Sequence, residues 1–153
     1  EVGNDALGRA AEQVGVAVAY RHALPENLTA EVETFDIVLS LEVVEHVADV
    51  GDFLQAVGRL VKPGGLMVIG TLNRTPQSYV KAIVGAEYVL RWLPRGTHDW
   101  AKFVRPDEVH RHVAPLGFEP VEIKGVSLNP LTFRWSVGDD TSVNYLQVLR
   151  RAA

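Results

Sequence analysis

The sequence predicts an α/β fold, an open and largely parallel sheet with helices on both faces, and three observations carry that expectation. Residues 35–40 form a nearly continuous apolar run, the pattern of a strand covered on both faces. A helical segment and the turn Lys62-Pro63-Gly64-Gly65 lead from it to a second apolar run, residues 66–71. This strand–helix–strand order favours a right-handed crossover between parallel strands. Finally, 153 residues with 47% apolar and 22% charged side chains suit one domain large enough to bury a core.

Each element has its own local reason. Ala6, Leu7, Ala10, Ala11 and Val14 recur at helical spacing over residues 5–14, and Gly15 stops that helix. Residues 16–20 read as a short strand and residues 24–28, around Pro25, as a turn. Asp49 is placed to cap a helix that buries Phe53, Leu54, Val57 and Leu60. Residues 77–93 make a long helical candidate ended by Pro94 and Gly96. Pro106 suits a first helical position, Asp107 and Glu108 complement that helix's amino-terminal dipole, and Gly117 ends it after Val109, Val113 and Leu116. Residues 118–126 and 143–149 read as the last two strands, an antiparallel pair at one edge, with turns at Asn129-Pro130 and Gly138-Asp139-Asp140.

Composition narrows the partners. Fifteen Lys and Arg against nineteen Asp and Glu give a net charge of −4, which argues against a nucleic-acid partner. The absence of cysteine excludes disulfide and thiolate chemistry and fits a cytoplasmic location. No apolar run reaches membrane-spanning length. The chain opens with Glu1-Val2-Gly3-Asn4, not Met, and so reads as a fragment.

The chemistry concentrates where the strand 35–40 ends. Glu42, Glu45 and His46 follow it directly, and the carboxyl ends of strands are where open α/β sheets bind ligands. If a helical turn begins there, Glu42 and Glu45 share a face and His46 lies near it. Two carboxylates and an imidazole suit a divalent metal. They equally suit a metal-free site in which His46 or Glu45 serves as general base. A plain structural reading makes Glu42 a cap, Glu45 a surface charge and His46 a hydrogen-bonded loop residue. Gly96-Thr97-His98-Asp99-Trp100 is a second cluster. There His98 and Asp99 supply a base or metal contact, with Trp100 as an aromatic wall, or they form a loop-fixing hydrogen bond over a packed indole. Asn73 and Arg74 follow another strand's carboxyl end, within reach of a substrate; for Arg74 a solvated loop charge is the default. His22, His110 and His112 lack convincing partners and read as structural or exposed.

Several segments together resemble a known family. Phe35-Asp36-Ile37-Val38, Glu42-Val43-Val44-Glu45-His46-Val47 and Leu60-Val61-Lys62-Pro63-Gly64-Gly65 are similar to the second half of class I S-adenosylmethionine-dependent methyltransferases. Thr71-Leu72-Asn73-Arg74, Val84-Gly85-Ala86-Glu87-Tyr88, Gly96-Thr97-His98-Asp99-Trp100 and Val143-Asn144-Tyr145 narrow the resemblance to the O-methyltransferases of ubiquinone biosynthesis. The resemblance implies a Rossmann-like, seven-stranded mixed sheet and methyl transfer from S-adenosylmethionine to a hydroxyl of a polyprenyl catechol. It implies a divalent metal, Mg²⁺ first, held by Glu42, Glu45 and His46, with Leu41 against the cofactor and His98 and Asp99 completing the site. It also implies partners among the proteins of ubiquinone biosynthesis. The alternatives are a methyltransferase for another small phenol or acid, and a non-catalytic binding module that retains the fold.

The departure from the family lies at the start. No Gly-x-Gly loop after a strand is present to admit the methionine part of the cofactor. The expectation is a single, amino-terminally truncated methyltransferase domain over residues 1–153, missing its first two strands. Its strands 16–20 and 35–40 would face a gap with unpaired apolar edges, and the isolated piece would bind S-adenosylmethionine weakly or not at all. Along residues 77–93, Ala82, Ile83, Ala86, Val89, Leu90 and Leu93 make one apolar arc, while Val80, Val84 and Trp92 fall among Lys81, Glu87 and Arg91. Such a helix is either covered by the core or touches the inner face of a membrane with Lys81, Arg91 and Arg95 at the headgroups, as a polyprenyl substrate would favour.

Overall fold

The computed structural model describes residues 18–30, 33–81, 99–129, 132 and 134–153. Within them, five strands form one mixed sheet, in the order β1-β2-β5-β3-β4. They are β1 (Phe35–Leu41), β2 (Val61–Leu72), β3 (Phe118–Asn129), β4 (Arg134–Gly138) and β5 (Asn144–Arg151). β1 and β2 are parallel, joined by helix α2 (Val50–Arg59), as the strand–helix–strand order predicts. β5 runs antiparallel between β2 and β3.

Local sequence chemistry explains most boundaries. Asp49 caps α2 by accepting a hydrogen bond from the Asp52 amide at 2.9 Å. Pro106 opens helix α4 (Pro106–Val113), and Gly117 ends the following 3-10 turn with φ +82°, the left-handed stop expected there. The Lys62-Pro63-Gly64-Gly65 turn is a bulge inside β2: Phe35 pairs with Val61, whereas Ile37 pairs with Leu66. Gly64 takes φ +78°, and a Cβ at Gly65 would stand 2.7 Å from the Asp36 carbonyl oxygen. Lys62 reaches back across this bulge to Asp36 at 3.0 Å.

Some expectations change. Residues 24–28 do not end in a turn but enter helix α1 (Pro25–Ala30), because Pro25 at the first position and Glu26 in the first turn start a helix. Residues 18–20 are irregular and exposed, with no strand beside them among the described residues to complete a ladder; positions 16 and 17 lie outside those residues. β4 is an added strand between the two expected last ones, so β3 is not at the edge. The helices expected over 5–14 and 77–93 fall outside the described residues except at 77–81. There a short helix α3 (Pro76–Ser78), with Thr75 as its cap, passes into a wider turn through Lys81.

The core lies between the sheet and the packed pair α2 and α4. Met67, Ile69 and Leu149 meet Leu54, Val57 and Val109 there, all of them buried. Removing several such side chains from water is the main favourable term in forming this layer, at about 1.5–3 kcal/mol each. β1 presents Val38 and Ser40 to that layer, while Ile37 and Leu39, on its other face, are 58% and 62% exposed. Double-sided cover of β1, expected from its unbroken apolar run, is therefore absent at these residues. The sheet's layout places the ends of β1 and β2 together under α4, and that is where the candidate site forms.

Candidate functional site

β1 ends in an uncommon backbone turn. The Glu42 amide still donates to the Gly70 carbonyl at 2.8 Å, extending the β1–β2 ladder, but Glu42 itself has φ +54°. A residue with a Cβ is seldom held in that left-handed region, which costs about 1–3 kcal/mol and clusters at functional sites. The turn hands the chain into a single 3-10 turn, Val44–His46, that carries Glu45 inward to 3% exposure. Thr71, near the end of β2, donates its hydroxyl to Glu45 Oε2 at 2.7 Å.

That leaves Glu45 Oε1 buried and without a hydrogen-bond partner. A buried lone pair of this kind calls for a donor or a cation. The Glu42 carboxyl stands near Glu45, and its pKa is pushed up to about 7, first by partial burial and then by the Glu45 charge. Glu42 can therefore gain or lose a proton near neutrality. Together the two carboxylates offer oxygen donors to a hard divalent cation of the kind that keeps most of its water.

His46 is exposed, and among the described residues no three His, Cys, Asp or Glu side chains gather as a metal-binding group. The fold thus brings Glu42 and Glu45 together and leaves His46 outside the pair. Leu41, half-exposed at the end of β1, stands beside the turn. Glu45 lines a cavity of about 410 Å³ walled by Val44, Phe103 and Val104 and rimmed by residues of α4. Tyr145 closes the core beneath, donating its hydroxyl to the Val104 carbonyl at 3.0 Å; burial and the nearby Glu108, Glu45 and Asp107 carboxylates raise its pKa.

The second cluster divides. Asp99 caps the 3-10 turn Trp100–Lys102, accepting from the Ala101 amide at 3.0 Å. The Trp100 indole donates to the Thr75 carbonyl at 2.9 Å, meets Tyr79 edge-on and packs on Leu72 and Phe103, which is the packed-core outcome for that side chain. His98 lies outside the described residues. Asn73 is buried and donates to the Thr141 carbonyl at 2.9 Å. Arg74 is not a solvated loop charge: it is half-buried and ion-paired with Glu108 on the cavity wall.

Sequence reasoning passed over Thr71 and took His112 for a structural or exposed residue, yet His112 lines the cavity. The available signal for Thr71 was a hydroxyl two residues before Asn73, near the end of an otherwise apolar strand. His112 carried none, because only the packing of α4 turns it toward the loop after β1.

Comparisons with known proteins agree with this architecture. A family model described as a methyltransferase domain matches residues 3–69. The chain is 53% identical over 137 residues to a ubiquinone biosynthesis O-methyltransferase of Cereibacter sphaeroides, a match covering 89% of this chain and 56% of that protein. It is 54% identical over 144 residues to the same-named protein of Dinoroseobacter shibae, covering 94% of this chain and 58% of the relative. The chain thus spans a little over half the length of these curated relatives. Among solved structures, an O-methyltransferase family protein of Burkholderia thailandensis superposes with TM-score 0.61 at 16% identity, covering 98% of this chain and 41% of that one. The N-methyltransferase NodS of Bradyrhizobium japonicum, in complex with S-adenosyl-L-homocysteine, gives TM-score 0.53 at 17% identity, with coverages of 97% and 62%.

Proposed function

We propose that this chain, which has the Rossmann-like class I methyltransferase fold and is related over most of its length to the ubiquinone-biosynthesis O-methyltransferases, serves methyl transfer from S-adenosylmethionine to a phenolic oxygen of a polyprenyl catechol. The observation that carries the reading is the Glu42–Glu45 pair at the carboxyl end of β1, with a buried, unpartnered carboxylate oxygen beside a cavity.

In this reading Glu45, fixed by Thr71, accepts on Oε1 a hydrogen bond from the neighbouring catechol hydroxyl, the one that is not methylated, and so sets the ring's direction. Glu42, titrating near pH 7, takes the phenolic proton as the oxygen attacks the sulfonium methyl carbon. The carbon–sulfur bond breaks as the carbon–oxygen bond forms, and S-adenosylhomocysteine leaves uncharged. A divalent metal bound by Glu42 and Glu45 would supply a positive charge that lowers the pKa of the catechol hydroxyl. In the same reading Leu41 touches the cofactor, and His46, His98 and Asp99 are candidates for completing the site. Tyr79 and Val80, both exposed, support a peripheral membrane contact through the segment 77–95, which would present the polyprenyl tail. Among the described residues no helix is long and apolar enough to cross a membrane.

The test is methylation of a polyprenyl catechol by the native polypeptide carrying this chain. Glu45→Gln is expected to lower kcat by roughly 10²–10⁴-fold; an unchanged kcat refutes the assignment. Loss of activity with a chelator and its return with Mg²⁺ marks the metal-assisted route, and indifference to chelator marks Glu42 as a free base.

A further inference from the structure

A second hollow, of about 390 Å³, lies on the other flank of α4, between that helix and the strands β3 and β5, and shares no lining residue with the cavity beside Glu45. Gln147 forms its inner wall. β5 is a middle strand, so Gln147 is paired with Ile69 on one side and Ile123 on the other. It is 4% exposed, and its Oε1 is buried without a hydrogen-bond partner. Tyr145 and Leu149, two residues away on either side, share its face of the strand and are both buried. Leu149 is apolar, and the Tyr145 hydroxyl is satisfied by the Val104 carbonyl. Gln147 alone of the three leaves an oxygen that asks for a donor.

The other walls say what kind of donor fits. Pro106 from α4 and Pro120, Val121 and Ile123 from β3 give the hollow an apolar body, and a register shift against β5 between Pro120 and Glu122 bends β3 at its edge. Asp107 on the helix and Glu122 on the strand are the charged side chains of the lining, which among the described residues holds no lysine or arginine. Asp107 is shared with Arg111 at 2.9 Å and Arg105 at 3.8 Å, and Glu122 stands 3.7 Å from a Lys124 held closer, at 2.7 Å, by Asp139. Asp107 and Glu122 are both more than half exposed, and pairs so placed hold weakly. His110 sets its Nε2 3.2 Å from the Phe118 carbonyl oxygen and 3.8 Å from Glu119; the carbonyl can only accept, so Nε2 carries the hydrogen and the neutral ring keeps Nδ1 as an acceptor. Such a lining repels an anion and suits a donor with positive charge. A bare metal ion does not fit, because among the described residues no three His, Cys, Asp or Glu side chains gather.

We propose that this hollow binds a small primary ammonium compound with an apolar body, the ammonium donating to Gln147 Oε1 and answered by the Asp107 and Glu122 carboxylates. An ammonium has three hydrogens to give, and these groups supply acceptors from the floor, the helix side and the strand side. The apolar body rests on Pro106, Pro120 and Ile123. The site stands apart from the methyl-transfer reading and does not depend on it.

Nuclear magnetic resonance on the native polypeptide tests it, with benzylamine, charged at neutral pH, and benzyl alcohol as probes. Benzylamine is expected to shift the Gln147 side-chain amide saturably and to bind at least about fivefold more tightly than the alcohol, an advantage that shrinks as salt is raised. Gln147→Leu replaces the stranded amide by an apolar side chain of similar size, so it should fold as well as the unaltered protein and bind benzylamine at least about tenfold more weakly. Glu122→Gln, an exposed position, should weaken benzylamine about threefold and leave benzyl alcohol unchanged. No saturable shift at Gln147, equal affinity for the two probes, or undiminished benzylamine binding in Gln147→Leu would each overturn the proposal. Should Gln147→Leu fail to fold, Glu122→Gln decides: unchanged benzylamine binding there overturns it.

Discussion

Replacing Glu42 by Gln should make the protein more stable at neutral and alkaline pH, and the gain should vanish in acid. In the fold the Glu42 carboxyl is pushed up to about 7, from the 4.5 of an ordinary glutamate, because partial burial and the Glu45 carboxylate both disfavour its charge. A raised carboxyl pKa means that the folded state holds the proton more tightly than the unfolded chain. Below the unfolded pKa both states are protonated and no penalty exists. Between about 4.5 and 7 the penalty grows as the unfolded chain ionises first, and above 7 it is complete. Taken at face value, the rise from 4.5 to about 7 corresponds to ~3 kcal/mol. Glu42 is an exposed residue, so solvent screening reduces that to roughly 1–2 kcal/mol. Gln keeps the size and the strained φ +54° backbone, so those contributions cancel in the comparison. Urea unfolding of both proteins at a series of pH values measures the difference. The Gln variant should gain roughly 1–2 kcal/mol at about pH 8 and nothing at about pH 4. A difference that stays constant with pH would refute the reasoning, since it would show that Glu42 does not sense Glu45.

Thr71→Val removes the hydroxyl that satisfies Glu45 Oε2 while keeping the side chain's shape. Stranding a buried carboxylate oxygen should cost about 1–3 kcal/mol in chemical unfolding, with Thr71→Ser restoring much of it; an unaltered midpoint would mean the bond is not formed in solution. Gly65→Ala places a Cβ 2.7 Å from the Asp36 carbonyl oxygen, a backbone atom that cannot swing away. It should destabilise by about 1–3 kcal/mol, read as a Tm several degrees lower, and a Tm equal to that of the unaltered protein would refute the tight bulge.

The elements that the sequence made legible are those whose causes are local. The Asp49 cap, Pro106 at a helix start and Gly117 at a stop each depend on a few neighbouring residues, whereas Lys62-Pro63-Gly64-Gly65, expected as a turn before a strand at 66–71, is a bulge inside a strand that already begins at Val61. β4 was not legible, because Arg134–Gly138 is short, exposed along its length and held by its pairing with β3. Pro25 misled for a related reason: the same residue serves a turn or a first helical position, and the residues that follow decide which. The acidic pair was foreseeable from its place after an apolar strand. The separation of His46 from it was not, since that follows from a positive φ at Glu42 and a 3-10 turn, neither of which residue spacing encodes.

From sequence alone came the parallel β–α–β unit, the family resemblance and the two carboxylates at the strand's end, because periodicity, capping and residue type act over short distances. Only the tertiary structure decided that Thr71 holds Glu45, that one carboxylate oxygen is left unpartnered, and that Lys102, Arg111 and His112 rim the same cavity. Glu45, Thr71 and the group Lys102, Arg111 and His112 come from three separate stretches of the chain. They meet because β2 lies beside β1 and α4 packs over the sheet through its buried Val109 and Val113. Partial burial at the end of β1 and the nearby Glu45 charge, not spacing alone, give Glu42 its pKa near neutrality.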